Sequence, residues 1–141
     1  MAAIEKQKLE QRITAALDKH HFGSFSTVEN NKPKSRYMAI FHDGMNVYLA
    51  TDRKTHKVEE LQHNSNISLL LGFDGKSWAE IVEIEGTASI TKDESLRQKF
   101  WNDQLKPWFN GPDDPDYVIL EIDAERIQYS DEEVKEQVWE K

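Results

Sequence analysis

Residues 34–64, KSRYMAIFHDGMNVYLATDRKTHKVEELQHN, decide the reading of this chain. They read as a strand, a tight turn, a second strand and a helix with cations around its start. Asp43-Gly44 between two strand-like runs signals a hairpin with a type I′ turn, in which both central residues take positive φ. Tyr37, Ala39 and Phe41 alternate with Arg36, Met38 and Ile40, and Val47 and Leu49 alternate with Tyr48 and Ala50. Apolar side chains fall on both faces, so the hairpin is expected to be enclosed, as in a small barrel covered by helices. Asp52-Arg53-Lys54 then reads as a polar loop and Thr55 as an N-cap, with Val58, Leu61 and Gln62 facing inward. Arg36 on the first strand, with Thr55, His56, Lys57 and free N–H groups at the helix start, suits one small anion. Phosphate is the obvious candidate.

The flanking sequence extends this pattern. Residues 3–20 read as an amphipathic helix with Leu9, Ile13, Ala16 and Leu17 on one face. His20-His21 at its end fits a helix C-terminus better than a metal site, because neighbours in a helix point to different faces. Phe22 to Val28 is a short strand, and Glu29-Asn30-Asn31-Lys32-Pro33 a turn rich in breakers. Asn64 to Gly72 carries a continuous apolar run and reads as a buried strand. After a turn at Asp74-Gly75-Lys76, Trp78 to Thr91 reads as a long strand. In it Val82, Ile84 and Trp78 alternate imperfectly with Glu80, Glu83 and Glu85, and Gly86 marks a bulge or bend.

Asp93 opens a helix whose apolar side is Leu96, Phe100 and Trp101. Asn102 to Tyr117 holds three of the four prolines and is too long and aromatic for a mere connector. Trp108 and Phe109 in it either join the core or cover a ligand. Tyr117 to Ile122 closes the sheet, Asp123-Ala124-Glu125 turns, Arg126 to Tyr129 extends the edge, and the acidic tail 130–141 allows a short helix. The order α-β-β-β-α-β-β-α-β predicts one mainly β domain over residues 1–141. It is a six-stranded antiparallel barrel (22–129) with flanking helices.

Composition narrows the function classes. The chain has 141 residues, 38% hydrophobic and 31% charged, and a formal charge of −8, which suits a folded domain and disfavours nucleic acid and anionic membranes as partners. The absence of cysteine removes disulfides, thiolate chemistry and sulfur-ligated metal. MAAIEKQKLEQ has no signal-type apolar core and no stretch is long enough to span a bilayer, so a cytoplasmic home is expected. No metal site is expected. Read without a relative in mind, Arg36 is an arginine paired with an acid, and Lys54 and Lys57 are helix contacts of Glu60. Glu83/Glu85 and Asp113/Asp114 read as solvated faces, since no nucleophile accompanies them.

Several pieces together carry a resemblance. They are the strand with Arg36-Tyr37-Met38, the Asp43-Gly44 hairpin, Ala50-Thr51, the Thr55-His56-Lys57 helix start, a buried strand, and the long strand with Glu85-Gly86-Thr87-Ala88. In this order they resemble the FMN-binding split barrel of the pyridoxamine 5′-phosphate oxidase-like proteins, over roughly residues 5 to 130. Trp101 and the loop Lys106-Pro107-Trp108-Phe109-Asn110-Gly111-Pro112-Asp113-Asp114-Pro115 resemble the general stress protein subfamily. The resemblance implies FMN as cofactor and a homodimer with FMN at the interface. It implies that Arg36 grips the FMN phosphate and that Thr55 and Lys57, with His56 beside them, complete the cage. Tyr37 and Met38 would lie along the isoalloxazine and offer backbone hydrogen bonds to its pyrimidine edge. Ala50-Thr51 would contact the cofactor, and Trp108 and Phe109 would act as a lid.

The chain also departs from the family. Ile81 stands where pyridoxamine phosphate oxidases usually have glutamine, Ser130 where stress-protein relatives often have tryptophan, and no C-terminal arginine–histidine motif follows Arg126. Oxidation of pyridoxine vitamers is therefore not expected. Three functions stay open: an FMN-dependent oxidoreductase on an unidentified small molecule, a stress protein that stores or senses flavin without turnover, and a cofactor-free interaction barrel or one adapted to haem or a deazaflavin.

Overall fold

The computed structural model describes residues 4–75 and 79–141. Along the chain run α1 (Lys6–Lys19), β1 (Phe22–Glu29), β2 (Lys32–Asp43), β3 (Asn46–Asp52), α2 (His56–His63), β4 (Asn66–Gly72), β5 (Ile81–Thr91), α3 (Glu94–Phe100), β6 (Tyr117–Ser130) and β7 (Gln137–Glu140). The sheet order is β3-β2-β1-β4-β5-β6-β7, and β3 also pairs with β6. That extra antiparallel pairing closes β1 to β6 into the expected six-stranded barrel and leaves no open edge around most of it.

One gap remains in the wall. The β2–β3 ladder runs only from Ile40↔Leu49 to Asp43↔Asn46. Below Ile40, β2 stays paired with β1, while β3 from Ala50 to Asp52 stays on β6. The two strands diverge there, so the barrel is split between β2 and the end of β3. On β6, β3 covers the edge as far as Ile122 and β7 takes over from Arg126 to Tyr129.

Period-two alternation sends Phe25, Leu49, Leu69, Ile84, Leu120 and Ile127 into the barrel, all of them buried. Each such side chain contributes roughly 1.5–3 kcal/mol on leaving water. The face of α1 formed by Leu9, Ile13, Ala16 and Leu17 joins the same core. The helix α1 packs on β2 and β7, α2 on β1 and β5, and α3 on β6. A second cluster lies outside the barrel, where Phe100, Leu105 and Phe109 cover Tyr48, Tyr117 and Ile119. The start of α3 is fixed by Asp93, whose carboxylate accepts from the N–H groups of Ser95 and Leu96 at 2.9 and 3.2 Å.

Several local expectations are corrected. Asp43 still pairs with Asn46, so the turn centre is Gly44-Met45, with positive φ at Gly44 (59°), as in a type II′ rather than a type I′ turn. The type I′ pattern sits at Asn30-Asn31, with φ of 52° and 61°, a conformation asparagine tolerates. Lys32 and Pro33 accordingly belong to β2. Asp123-Ala124-Glu125 does not turn: β6 runs through it, and the register shift at Glu85/Gly86 leaves Glu125 as a bulge. A Cβ on Gly86 would lie 2.0 Å from the carbonyl oxygen of Asp123, so this close crossing needs glycine.

Arg126–Tyr129 is not an edge, because β7 pairs with it, and the tail forms that strand rather than a helix. The Asp131 carboxylate accepts from the N–H groups of Glu133 and Val134 at 2.8 and 2.7 Å, a local turn that competes with helix. In β4 Leu69 and Leu71 point inward while Leu70 is exposed, so that strand is buried on one side only. In α2 Glu60, not Gln62, is the buried polar residue. The inner face of the hairpin lies in the barrel core. Its outer face is covered where Phe100 packs on Phe41 and Tyr48, at 5.4 and 5.0 Å between ring centroids, whereas Tyr37 is 85% exposed. The described part of the long strand begins at Ile81, and Lys76, Trp78 and the start of the N-terminal helix at residue 3 lie outside the described residues.

Candidate cofactor site

The split places unpaired backbone beside the start of α2. The Ile40 N–H bonds the carbonyl of His21 at 2.8 Å, so alternation turns the backbone groups of Tyr37 and Ala39 the other way, toward β3 and past the end of its ladder. Across the gap, the Arg53 N–H bonds the carbonyl of Asp116 at 2.8 Å, which turns the backbone of Ala50 toward β2. Donors and acceptors of Tyr37, Ala39 and Ala50 therefore line the split, where a ligand edge can meet them. The expected contact residues divide between faces. Met38 and Thr51 are buried inside, whereas Tyr37 points to solvent and Ala50 is half-buried.

Arg36 is gripped by the protein itself. Its Nη1 donates to the carbonyls of Phe25 and Lys34 at 3.3 and 3.2 Å and to the Thr27 hydroxyl at 2.8 Å. Its Nη2 donates to Glu60 Oε2 at 3.2 Å. The Thr27 hydroxyl in turn donates to the same carboxylate oxygen of Glu60. Burial works against the charge on Glu60, yet the Thr27 hydroxyl and the Arg36 guanidinium outweigh it and hold the carboxyl below its usual range. The reading of Arg36 as paired with an acid is therefore correct, and the acid is buried.

Lys57 stands differently. Its Nζ donates to the hydroxyls of Thr51 and Thr55 at 3.0 and 3.3 Å. Every other basic side chain of residues 34–57 has a carboxylate within 4.0 Å: Lys34 has Glu29, Arg36 has Glu60, His42 has Asp18, Arg53 and Lys54 share Asp116, and His56 meets Glu29. Among the described residues Lys57 makes no such pair. Burial, and then the charge of Arg36, lower its pKa. A half-buried ammonium among hydroxyls, beside a second cation, suits an anion.

Thr55 occupies the N-cap position of α2 but does not cap it. Its hydroxyl donates to the Asp52 carbonyl at 2.8 Å, which leaves the first N–H groups of the helix uncapped. His56 is exposed and turned away from Lys57, with Nε2 2.5 Å from Glu29 Oε2. Glu29, His56 and Glu60 bring three ligand-type atoms within 4.8 Å of one another, though Lys34 and Arg36 already neutralise the two acids.

The two loop aromatics part company. Phe109 is 6% exposed and packs on Tyr117 at 5.2 Å, so it is core and not lid. Burial pushes the Tyr117 hydroxyl up to about 12, and that hydroxyl donates to the Arg97 carbonyl at 2.9 Å. Trp108 is 72% exposed on a loop pinned by Asp114 and by the Asp116 contacts to Arg53 and Lys54. Sequence reasoning missed Glu60 and Thr27 as parts of the site. Thr27 lies on an inward position of β1, which alternation makes readable, whereas Glu60, three residues after Lys57 on the same helical face, carries no signal that marks it as buried.

Comparison with known proteins covers the stretch of chain that holds this site. The family model described as Pyridoxamine 5′-phosphate oxidase matches residues 9–131. General stress protein 26 of Bacillus subtilis (strain 168) is 43% identical over 126 residues, 89% of this chain and 90% of that protein. The crystal structure of the general stress protein 26 from Bacillus anthracis superposes with a TM-score of 0.87 at 37% identity, over 94% of this chain and 98% of that one. A heme binding protein from Mycobacterium smegmatis shares the fold at 13% identity, with a TM-score of 0.75 over 99% of this chain and 60% of that one.

Proposed function

The chain belongs to the pyridoxamine 5′-phosphate oxidase family, and from that premise we propose that it is an FMN-binding flavoprotein acting as an oxidoreductase on a small molecule. The observation that carries this reading is Lys57, a half-buried ammonium held by the hydroxyls of Thr51 and Thr55 and, among the described residues, with no carboxylate within 4.0 Å, beside Arg36 and an uncapped helix start. Lys57 and Arg36 would hold the phosphate, and Thr51 and Thr55 would orient the ammonium toward it. The open backbone of Tyr37, Ala39 and Ala50 would read the edge of the ring system. Bound there, a flavin supplies hydride or electron transfer, while the protein fixes its orientation and controls access.

A homodimer with the cofactor at its interface belongs to the same proposal. The outer face of β2, β1 and β4 exposes Tyr37, Phe22 and Leu70, which the registers Ser24↔Tyr37 and Ser24↔Leu70 place on one face around Ser24. Exposed apolar side chains gathered on one sheet face mark association surfaces. With no cysteine in the chain and, among the described residues, no helix long and apolar enough to cross a membrane, the proposed compartment is the cytoplasm.

Denaturing the purified protein and identifying the released cofactor tests the reading. Stoichiometric FMN supports it; haem, a deazaflavin, or no cofactor together with no uptake of added FMN refutes it. Consumption of a reduced nicotinamide by the FMN-loaded protein separates an oxidoreductase from a protein that only stores flavin. Light scattering that showed a monomer carrying FMN would refute the dimer.

A further inference from the structure

We infer that Glu60 is a specificity-determining residue of the phosphate site: its buried carboxylate offsets the charge of Arg36, so that Lys57 supplies most of the net charge for the anion. This inference rests on the phosphate reading above and adds a regulator to it. Only 2% of the Glu60 side chain is exposed. One carboxylate oxygen serves both Arg36 and Thr27, and the other faces His56 Nε2 at 3.8 Å. Thr27 accepts from Arg36 and donates to Glu60, which closes a triangle around the guanidinium. A pair this tight presents a weaker net field than a lone guanidinium, although at Lys57 the charge of Arg36 still outweighs that of Glu60.

Two consequences follow. Arg36 reaches a ligand as an oriented hydrogen-bond donor, because its Nη1 is fully engaged with Phe25, Lys34 and Thr27, and its charge is offset from behind. The cluster of Arg36, Lys57 and Glu60 then carries one positive charge, which matches one charge of a phosphate monoester and leaves the second to the helix N–H groups. Glu60 thereby limits how strongly the site prefers a phosphorylated flavin. Lys34 faces Glu29 and leaves this balance alone. His56 lies between Glu29 and Glu60, at 2.5 and 3.8 Å, and adds to the stabilisation of the Glu60 carboxylate, while Asp52 lies near enough to Lys57 to favour its charged form.

The test is the ratio of riboflavin to FMN dissociation constants, measured by flavin fluorescence for Glu60→Gln and for the pair Arg36→Gln and Arg36→Gln/Glu60→Gln. Glu60→Gln keeps an acceptor for Arg36 and removes the charge. It is expected to raise the ratio about tenfold in both backgrounds. The double variant holds no lone buried charge and keeps the test open if Glu60→Gln alone does not fold. A ratio left unchanged or lowered, in whichever background folds, overturns the inference. A wild-type ratio near one would instead remove the phosphate reading beneath it, so the two failures are distinct.

Discussion

Replacing Lys57 with methionine separates binding from folding more cleanly than any other single change. Methionine keeps an unbranched chain of similar length, is a good helix former and adapts to its surroundings. It removes the ammonium that Thr51 and Thr55 hold. A charge-assisted hydrogen bond to phosphate is worth about 1.5–3 kcal/mol. At about 1.4 kcal/mol per decade, FMN affinity should fall roughly 10- to 150-fold, while riboflavin affinity stays the same. Stability should move the other way. Burial and Arg36 lower the Lys57 pKa, so the folded state holds this proton less firmly than the unfolded chain does. At neutral pH, with the proton on in both states, the charged ammonium therefore costs stability, a cost that fades as pH rises through the folded pKa. Lys57→Met apoprotein should match or exceed wild type in urea unfolding, by up to about 1 kcal/mol. Fluorescence titration and urea denaturation read the two effects. FMN affinity within twofold of wild type would refute the phosphate role of Lys57, and clear destabilisation would refute its description as a strained cation.

Three further outcomes are expected. Gly86→Ala forces a Cβ to within 2.0 Å of the Asp123 carbonyl and should destabilise the barrel by about 2 kcal/mol or more, seen as a lower urea midpoint; an unchanged midpoint contradicts the bulge geometry. Phe109→Ala should cost about 3–5 kcal/mol and Trp108→Ala less than about 0.5 kcal/mol, and thermal melts that rank them the other way would contradict their assignment as core and surface. FMN affinity should weaken as pH rises on the alkaline side, beginning below the ordinary lysine value of 10.5. Lys57→Met should lose that limb; a limb that persisted would point to another group.

The barrel was legible because alternation and breakers spoke clearly. Phe25, Leu49 and Ile84 fall on inward positions, Asp93 caps α3, and Gly86 marks the bulge. Turn types were harder, since the pairing of Asp43 with Asn46 depends on where the ladder stops and not on the Asp-Gly dipeptide. The tail misled for a similar reason: SDEEVKEQ has helix-forming composition, but β6 past Ile122 offers an edge that β3 has left, and β7 fills it. At the site, Arg36, Lys57, Thr51 and Thr55 do cluster at one end of the split. Glu60 was hidden because a glutamate on a short helix next to lysines reads as solvent-facing, and only the closure of Thr27 and Arg36 over it shows otherwise. Trp108 and Phe109 are neighbours in sequence, and their opposite fates follow from the packing of Phe109 on Tyr117.

Comparing the affinities of the wild-type apoprotein for FMN and riboflavin tests the phosphate site most directly, because the two ligands differ only in the phosphate. Two charge-assisted contacts from Lys57 and Arg36, with the second discounted by Glu60, predict that FMN binds roughly 100- to 1,000-fold more tightly. Equal dissociation constants, or no binding of either flavin, would contradict the assignment.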